Sequence, residues 1–354
     1  MKKNAPPAPF SRPLYALMLV AVALLLWLLA QPRPGLRVVK LDPVLAPDNA
    51  PAPLPVPERI RVATYNLEHF TDGIGDEPER TPDVFMSHAR GAAEIISEAN
   101  PDVLLLQEVE NKRALEFLND QLEHPYAYIY ISKLRHSSGE REKLNLAMLS
   151  RLEPSLVRQL GFYNLEGIGR PTRGTLCAEF DIGLDFRLLV YALHLKSNFG
   201  EAPKNQAQRA IALHHIAADA ISETLQNLPR STATLLLGDT NVDPDTPQFA
   251  TDPSLEPLTG AYTDLWRGLP IEERTTIPTR QAGPNGDTNL VFEPSAFDRV
   301  FASRNVSTGT VWRVSKPVSI QRGTDTANNL TQPGFNGHVS DHFLVYVDLA
   351  KVQD

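Results

Sequence analysis

Nine short apolar runs, each about the length of a β-strand, recur along the chain after residue 57. They are RIRVATYNL, DVLLLQEV, YAYIYIS, NLAMLS, GTLCAEFDI, FRLLVYALHL, TATLLLGD, FDRVFAS and HFLVYVDL. Three longer stretches repeat apolar residues with a helical period, namely DVFMSHARGAAEIISEAN, NKRALEFLNDQL and NQAQRAIALHHIAADAISETLQNL. So many strands with so few helices predict one α/β domain, residues 58–354, in which two sheets pack together and helices flank them.

A different pattern occupies the N-terminus. After a short segment, residues 1–13, residues 14–30 form an uncharged apolar run without a polar face, which predicts a transmembrane signal-anchor or a cleaved signal peptide. We favour the anchor, because the preceding region is long for a signal peptide. Residues 31–57 are rich in proline and predict an extended linker. The expected protein is anchored in a membrane with a periplasmic or extracellular catalytic domain, or secreted if the segment is cleaved.

Composition excludes several classes of protein. Cys177 is the only cysteine of the 354 residues, so neither an intrachain disulfide framework nor a cysteine–histidine zinc cluster is available, and Cys177 is expected to be buried. The net charge is −8, and residues 1–57 carry six basic and two acidic side chains, so the negative charge lies in the folded domain. Such a domain does not coat nucleic acid through phosphate contacts alone, but it can act on a phosphate with a divalent cation.

Polar side chains follow or precede six of the predicted strands at comparable ends. The residues are Asn66, Glu68, Gln107, Glu108, His194, Lys196, Ser197, Asn198, Asp239, Asn241, Asp298, Ser340, Asp341 and His342. Any one of them is more often solvated than functional, because loops are polar in general. Asp243 and Asp245, which follow the GDTN segment, are interpreted as turn residues. The whole set indicates a site at one edge of the sheets.

The residue types in this set fit the hydrolysis of a phosphoester. Oxygen ligands such as Glu108, Asp341 and the Asn66 amide suit Mg²⁺, with Mn²⁺ or Ca²⁺ as alternatives. Two histidines suit proton transfer near pH 7. Asp239 could align a water molecule while the Asn241 amide donates to a phosphoryl oxygen. The chain contains neither a GxSxG nucleophile elbow nor a GxxxxGK[ST] loop.

The motifs, taken in order, resemble those of the endonuclease/exonuclease/phosphatase family, which has the fold of pancreatic deoxyribonuclease. The matching segments run through nearly all of residues 58–350 and are TYNLE, LLLQEV, HLKSN, LLGDTN, FDRVF and SDHF. The resemblance implies a four-layer α/β sandwich of two mainly antiparallel sheets flanked by helices, with the site at one edge. The departures are Arg299 after Asp298, and Phe343 where the family often has proline.

The resemblance also implies roles for the individual residues. Glu108, Asn66 and Asp341 would form the metal site. His342 would act as the base, oriented by Asp298, and His194 would bond the phosphate or act as the acid. Asp239 and Asn241 would align the water and stabilise the transition state, while Ser197, Asn241 and Arg173 would bind substrate. For Arg173 a surface salt bridge is an equal alternative, and Glu142 is a candidate carboxylate partner of His194.

The substrate class stays open at this point. HLKSN differs from abasic-site endonucleases, and the PAWCDRIL residues of inositol phosphatases are absent. YNLEHFTDGIGDEP resembles the opening of bacterial secreted nucleases, so the expected function is a metal-dependent, monomeric nuclease acting on DNA or RNA. A sphingomyelinase-like phospholipid phosphodiesterase or a phosphatase is the alternative, and a tethered binding module with an inactive site is the non-enzymatic one.

Overall fold

The computed structural model describes residues 36–47, 57–74, 80–135, 140–162, 165, 167, 170–171, 173–278, 280–281, 291–326 and 331–352. The apolar segment at residues 14–30 lies outside these ranges, so its assignment as a membrane anchor or signal peptide stays a prediction. Within the ranges, none of the helices combines the length and the apolar character that crossing a bilayer requires.

Sixteen strands and five α-helices are present in the described ranges. The strands are β1 (Arg37–Lys40), β2 (Arg59–Phe70), β3 (Val103–Val109), β4 (Tyr128–Ile131), β5 (Asn145–Ser150), β6 (Leu156–Gly161), β7 (Thr175–Asp181), β8 (Phe186–His194), β9 (Ser231–Asp239), β10 (Tyr262–Asp264), β11 (Arg280–Gln281), β12 (Val291–Phe292), β13 (Asp298–Ser303), β14 (Trp312–Val314), β15 (Val318–Ile320) and β16 (Leu344–Lys351). The helices are α1 (Pro82–Ala99), α2 (Lys112–Gln121), α3 (Ala202–Gln226), α4 (Ile271–Arg274) and α5 (Arg304–Ser307), and the 3₁₀ turns are Pro247–Phe249 and Pro253–Leu258.

The strands form two large sheets and one small hairpin. Sheet A has the order β1-β6-β7-β8-β9-β13-β10, sheet B has the order β14-β16-β2-β3-β5-β4 with β15 also paired to β16, and β11 pairs with β12. Each large sheet contains one parallel pair, β8 with β9 in sheet A and β2 with β3 in sheet B. The other pairs in both sheets are antiparallel, as the sequence predicts.

Three hydrophobic clusters hold the layers together, which explains why so many strands are apolar at every position. On β3, Val103 and Leu105 belong to the cluster between the two sheets, whereas Leu104 and Leu106 belong to the cluster under α1 and α2. A third cluster lies between sheet A and α3. Strands buried on both faces read as continuous apolar runs. The result is the predicted four-layer α/β sandwich, with Cys177 fully buried in the third cluster.

Local signals place the two helices beside sheet B. The Thr81 side chain accepts a hydrogen bond from the backbone of Val84 and caps α1, and Asn111 caps α2 in the same way through Ala114. Helix α1 ends at Asn100, whose φ of 47° is in the left-handed region. These caps fix where each helix begins: α2 follows directly after β3, which carries Glu108, whereas α1 begins well beyond the end of β2 at Phe70.

The N-terminal strap, residues 36–47, differs from the predicted linker. Strand β1 pairs with β6 from Arg37 opposite Gly161 to Lys40 opposite Arg158. Leu41 is buried in the cluster between the sheets, and Leu45 forms a β-bridge with Ile129 at the edge of sheet B. The prediction that all of residues 31–57 form an unpacked linker is therefore wrong for the strap, because apolar residues between the prolines pack against both sheets.

Candidate active site

Strand register in sheet A places three of the predicted site residues in one row. His194, the last residue of β8, pairs with Asp239, the last residue of β9, and Asp239 pairs with Asp298, the first residue of β13. Residues paired across neighbouring strands lie on the same face of a sheet. All three side chains are buried. The row explains why residues far apart in sequence form one site.

Gly238 is required immediately before this row. Its φ is +138°, and a Cβ added there would lie 2.1 Å from the backbone oxygen of Leu193 on the neighbouring strand. No residue with a side chain fits such an approach without moving the backbone. The glycine of the GDTN segment therefore allows β8 and β9 to meet closely beside His194 and Asp239.

Sheet B contributes Asn66 and Glu108 from irregular strand ends. Asn66 pairs with Gln107, after which the register of β2 and β3 shifts between Asn66 and Phe70. Glu68, His69 and Glu108 have φ values of 46°, 54° and 64°, in the left-handed region that side chains disfavour. Bulges of this kind redirect side chains next to active sites. Here they bring the Glu108 carboxylate to within 3.4 Å of the Asn66 amide nitrogen.

His342 is held by two carboxylates and faces Asn66. Its Nδ1 lies 2.7 Å from Oδ2 of Asp298, and its Nε2 lies 3.4 Å from Nδ2 of Asn66. The Asp341 carboxylate is 3.7 Å from the same Nε2. Although burial lowers it, the charges of Asp298 and Asp341 keep the pKa of His342 well above its ordinary value. His342 is thus an oriented, cationic imidazole.

Asn241 fixes both oxygens of Asp239. Its backbone N–H donates to Oδ1 at 2.8 Å and its side-chain amide donates to Oδ2 at 2.9 Å. The φ of Asn241 is 56°, a conformation that asparagine tolerates better than most residues. Burial raises the pKa of Asp239 to about 7. The predicted pairing of Asp239 with Asn241 is present in the structure.

Arg173 contacts His194 directly. Its guanidinium nitrogen Nη1 donates to Nε2 of His194 and to the backbone oxygen of Leu195. Burial and the charge of Arg173 lower the pKa of His194 to about 4, against the opposing effect of Glu108, and the other ring nitrogen, Nδ1, is buried. Within the described ranges, no group hydrogen-bonds that buried Nδ1. Glu142, the candidate partner, instead accepts from the backbone of Leu144, so that assignment was wrong.

The chemistry of Glu108 fits a divalent cation. Its Oε1 is 3.4 Å from Nε2 of His194 and its Oε2 accepts from the backbone of His69 at 2.9 Å. Burial alone would raise the pKa of Glu108, but the contact with His194 and nearby positive charges hold it well below its ordinary range. Mg²⁺ typically takes one or two carboxylates and keeps several waters. Glu108 would therefore hold the ion, with Asn66 beside it.

The other predicted ligand lies a little apart from Glu108. Asp341 sits beside His342, and its backbone N–H donates to Oε2 of Glu68 at 2.7 Å. Over the described ranges, no three histidine, cysteine or acidic side chains gather with the spacing of a complete metal cage.

Ser197 is not brought into the cluster. Its hydroxyl oxygen accepts from the Lys196 ammonium at 2.9 Å, and the loop is fixed instead through Asn198, whose amide donates to the backbone oxygen of Asn241. Arg209 on α3 is buried and donates to the backbone oxygen of Lys196 and to Asn198. The HLKSN segment thus positions Asn241 rather than presenting Ser197.

Two groups of residues escape the motif-based prediction. Arg299 is fully buried and pairs with Asp243 at 3.2 Å and with Asp264 at 2.7 Å, while Arg274 also binds Asp243. Asp243 begins a turn, as interpreted, because its backbone oxygen accepts from the backbone of Thr246 at 3.0 Å, and its buried carboxylate is also an ion-pair partner that the sequence did not reveal. In the second group, His338 lies 2.8 Å from Glu68, which supports the backbone of Asp341. The histidine in NGHVSDH, four residues before His342, is the signal for that contact.

Comparison with solved structures finds proteins of similar fold. TDP2 from D. rerio, in a structure complexed with single-strand DNA product, is 17% identical, the match covers 83% of this chain and 99% of that one, and the TM-score is 0.54. Beta toxin from Staphylococcus aureus is 16% identical, with coverages of 81% and 99% and a TM-score of 0.55. An endonuclease/exonuclease/phosphatase from Beutenbergia cavernae is 19% identical, with coverages of 84% and 72% and a TM-score of 0.52.

At these identities the three likenesses show the fold alone. No curated protein sequence is similar enough to count as a relative. The family model, in contrast, matches residues 63–342, from the core of β2 to the histidine held by Asp298. The chain belongs to the endonuclease/exonuclease/phosphatase family.

Proposed function

We propose that the protein is a Mg²⁺-dependent phosphodiesterase, and specifically a membrane-tethered or exported nuclease that cleaves DNA or RNA. Its family acts on phosphoester bonds as hydrolases. The observation that carries the proposal is the register row of His194, Asp239 and Asp298, which faces Asn66, Glu108 and His342 across the sandwich. The row and the residues that face it therefore place acid–base groups and anion-binding groups next to one another.

Each side chain has a task in this mechanism that follows from its contacts. Asp298 orients His342 so that Nε2 faces the site, and because the neighbouring carboxylates raise the pKa of His342, we assign it to donate to a phosphate oxygen in place of the base role that the resemblance implies. Asp239, fixed by Asn241, accepts a hydrogen bond from the attacking water. Arg173 holds His194 and adds positive charge beside the phosphate. A cation on Glu108 would neutralise developing charge on the phosphoryl oxygens.

The choice of nucleic acid rests on two supports. The sequence after β2 resembles that of bacterial secreted nucleases, and the similar D. rerio protein was obtained with a single-stranded DNA product. The strained backbone at Glu68, His69, Glu108 and Asn241 marks a functional site, whether that site catalyses or only binds. The two histidines gathered there, His194 and His342, are what argues against the binding-module alternative, because binding alone does not require groups that transfer protons.

The place where the chain enters the fold favours a second candidate, a phospholipid phosphodiesterase. Arg37 pairs with Gly161, the last residue of β6, at the sheet edge that also carries His194. If residues 14–30 anchor the protein, the short segment before Arg37 reaches at most about 25 Å. The anchor would then hold the active-site edge close to the membrane surface, where either lipid or extracellular nucleic acid is accessible.

A substrate panel tests the proposal. The purified full chain is incubated with plasmid DNA, single-stranded RNA, or sphingomyelin and phosphatidylcholine vesicles, with Mg²⁺ or Mn²⁺ and with an EDTA control. We expect chelator-sensitive cleavage of nucleic acid that disappears in His342→Ala. The full chain is needed because removal of residues before 58 would delete β1 and Leu41 from the fold.

The alternatives give different patterns in the same panel. Hydrolysis of the vesicles without cleavage of nucleic acid would establish the lipid enzyme in its place. A folded protein that hydrolyses none of the substrates with either metal would contradict the enzymatic proposal and favour the binding module.

A further inference from the structure

A cleft of about 590 Å³ is lined by the N-terminal strap and by residues 131–135 and 141–145. The strap supplies one wall, including Arg37 and Val39, and the opposite wall includes Lys133 and Arg141. The family motifs contain none of these four residues. The cleft therefore depends on the strap, the part of the fold that the sequence did not predict.

The cleft is continuous with the catalytic edge. Glu110, which lines the cleft, follows Glu108 by two residues, a distance of at most about 7 Å along an extended chain. Asn145, at the start of β5, also lines the cleft, and its amide donates to the backbone oxygen of Glu110 at 3.0 Å. The lining of the cleft therefore begins within about 7 Å of Glu108 along the chain.

The charge of the cleft is opposite to that of the whole protein. The chain has a net charge of −8, yet five basic side chains line the cleft against three acidic ones. The basic side chains are Arg37, Lys112, Lys133, Arg135 and Arg141. Among the described residues, Lys133 and Arg141 form no side-chain ion pair, and both are exposed. Their charges are available to an anion.

Two of the three acidic side chains are occupied within the protein. Glu110 accepts from the backbone of Asp72 at 2.9 Å, and Glu142 accepts from the backbone of Leu144 at 3.1 Å. Glu142 is buried, so it presents little surface to the cleft. These backbone hydrogen bonds leave the carboxylate charges in place, so the lining keeps the net positive charge that its residue count indicates.

The floor of the cleft is fixed by buried polar contacts. Gln159 on β6 accepts from the backbone N–H of Lys133 at 2.5 Å and donates to its backbone oxygen at 3.2 Å, which joins the edges of the two sheets. Asn145 also donates to the backbone oxygen of Glu142 at 2.9 Å. Preorganised walls hold cationic side chains at a constant distance from the catalytic row, as a subsite requires.

We propose that this cleft binds the backbone phosphates of a nucleic-acid strand that extends from the active site, with Lys133 and Arg141 as the contacting cations. The inference rests on the proposed nuclease function and narrows it, because a substrate with a single phosphodiester leaves the cleft empty. Lys and Arg contacts to phosphate give affinity without reading sequence. The subsite therefore favours long strands of any sequence.

The test compares one double variant with a matched control. Lys133→Ala/Arg141→Ala removes two charges from the cleft, and Arg304→Ala/Lys316→Ala removes two exposed charges away from it. Arg304 follows Ser303, at the other end of β13 from Asp298. Binding of a fluorescent oligodeoxythymidylate of about 20 nucleotides is followed by anisotropy in EDTA, where no hydrolysis occurs. Hydrolysis of bis(p-nitrophenyl) phosphate is measured separately with metal.

We expect the cleft variant to bind the oligonucleotide on the order of tenfold more weakly, with the slope of log K against log salt smaller by about 1.4. Its turnover of the small phosphodiester and the behaviour of the control variant should match those of the unmodified chain. Unchanged oligonucleotide binding, or an equal loss on the small substrate, would overturn the subsite. Absence of hydrolysis by the unmodified chain would instead count against the proposed function, which the binding measurement does not require.

Discussion

Asp298 Oδ2 lies 2.7 Å from Nδ1 of His342, so the first residue of β13 orients a histidine that precedes β16. Both side chains are buried, and the carboxylate raises the pKa of the imidazole. A carboxylate in this position sets both the tautomer and the charge of a histidine. The pair connects the two sheets at the catalytic edge.

Asp298→Asn should reduce kcat on bis(p-nitrophenyl) phosphate by about 10²- to 10⁴-fold, the usual contribution of a positioned acid or base. The substitution keeps the shape of the side chain but removes the charge that holds His342 protonated. The exposed Asp181→Asn serves as the control and should keep full activity. Equal kcat values for Asp298→Asn and the unmodified chain would show that the pair has no catalytic task.

Glu108→Gln should weaken Mn²⁺ binding by more than about tenfold, measured by calorimetry without substrate. The reason is that Glu108 is a partly buried carboxylate whose pKa is held well below its ordinary range beside Asn66 and His194. Glu116→Gln, at an exposed position on α2, is the matched control. Retained metal affinity in Glu108→Gln would assign the cation to other ligands.

Much of the fold follows from the sequence because its strands are buried on both faces. Leu104 and Leu105 are neighbours in β3 but belong to different hydrophobic clusters. A strand that is covered on both faces in this way reads as a short, unbroken apolar run, which the sequence shows directly. The same reasoning fails for β10 and β14, which have three residues each and too few positions to show a period. Strand β1 is hidden by the prolines around it.

The site could be predicted as a set of residues but not as a geometry. The motifs identify Asp239 and Asp298, yet only strand register shows that they are direct neighbours. Asp243 looks in sequence like any aspartate of a turn, and its burial depends on Arg299 arriving from β13. Likewise, nothing in the sequence indicates that Arg173 contacts His194 rather than the surface.

Arg299→Met should lower the free energy of unfolding by about 3–5 kcal/mol, because it leaves buried carboxylates without their cation. Arg299 is fully buried and binds Asp243 and Asp264. Arg267→Met is the control. Arg267 pairs with Asp245 at 3.2 Å, but its side chain is 55% exposed, so loss of this pair should lower the free energy of unfolding by less than about 1 kcal/mol. Urea unfolding followed by the fluorescence of buried Trp266 and Trp312 gives both values. Similar losses in the two variants would contradict the buried-cluster account.

Buried His88 should make stability fall in acid. Burial, with the charges of His338 and Arg80, lowers the pKa of His88 to about 3, from an ordinary value of 6.5. The unfolded chain therefore binds a proton first, and the stability present above pH 6.5 is lost as pH falls toward 3, by up to about 1.4 kcal/mol per pH unit. His88→Gln should reduce the slope of the unfolding free energy against pH in this range by the contribution of one proton. His124 is 69% exposed, so His124→Gln should leave the slope unchanged. Unfolding free energies at several pH values check the difference, and parallel curves for all three proteins would refute it.

The most direct test of the phosphodiesterase assignment is the hydrolysis of bis(p-nitrophenyl) phosphate by the full chain with Mg²⁺ or Mn²⁺. The assignment predicts metal-dependent release of p-nitrophenol that EDTA abolishes and that both His194→Ala and His342→Ala lose, while their unfolding transitions stay cooperative. Hydrolysis that persists in both folded variants, or no hydrolysis by the unmodified chain with either metal, would contradict it.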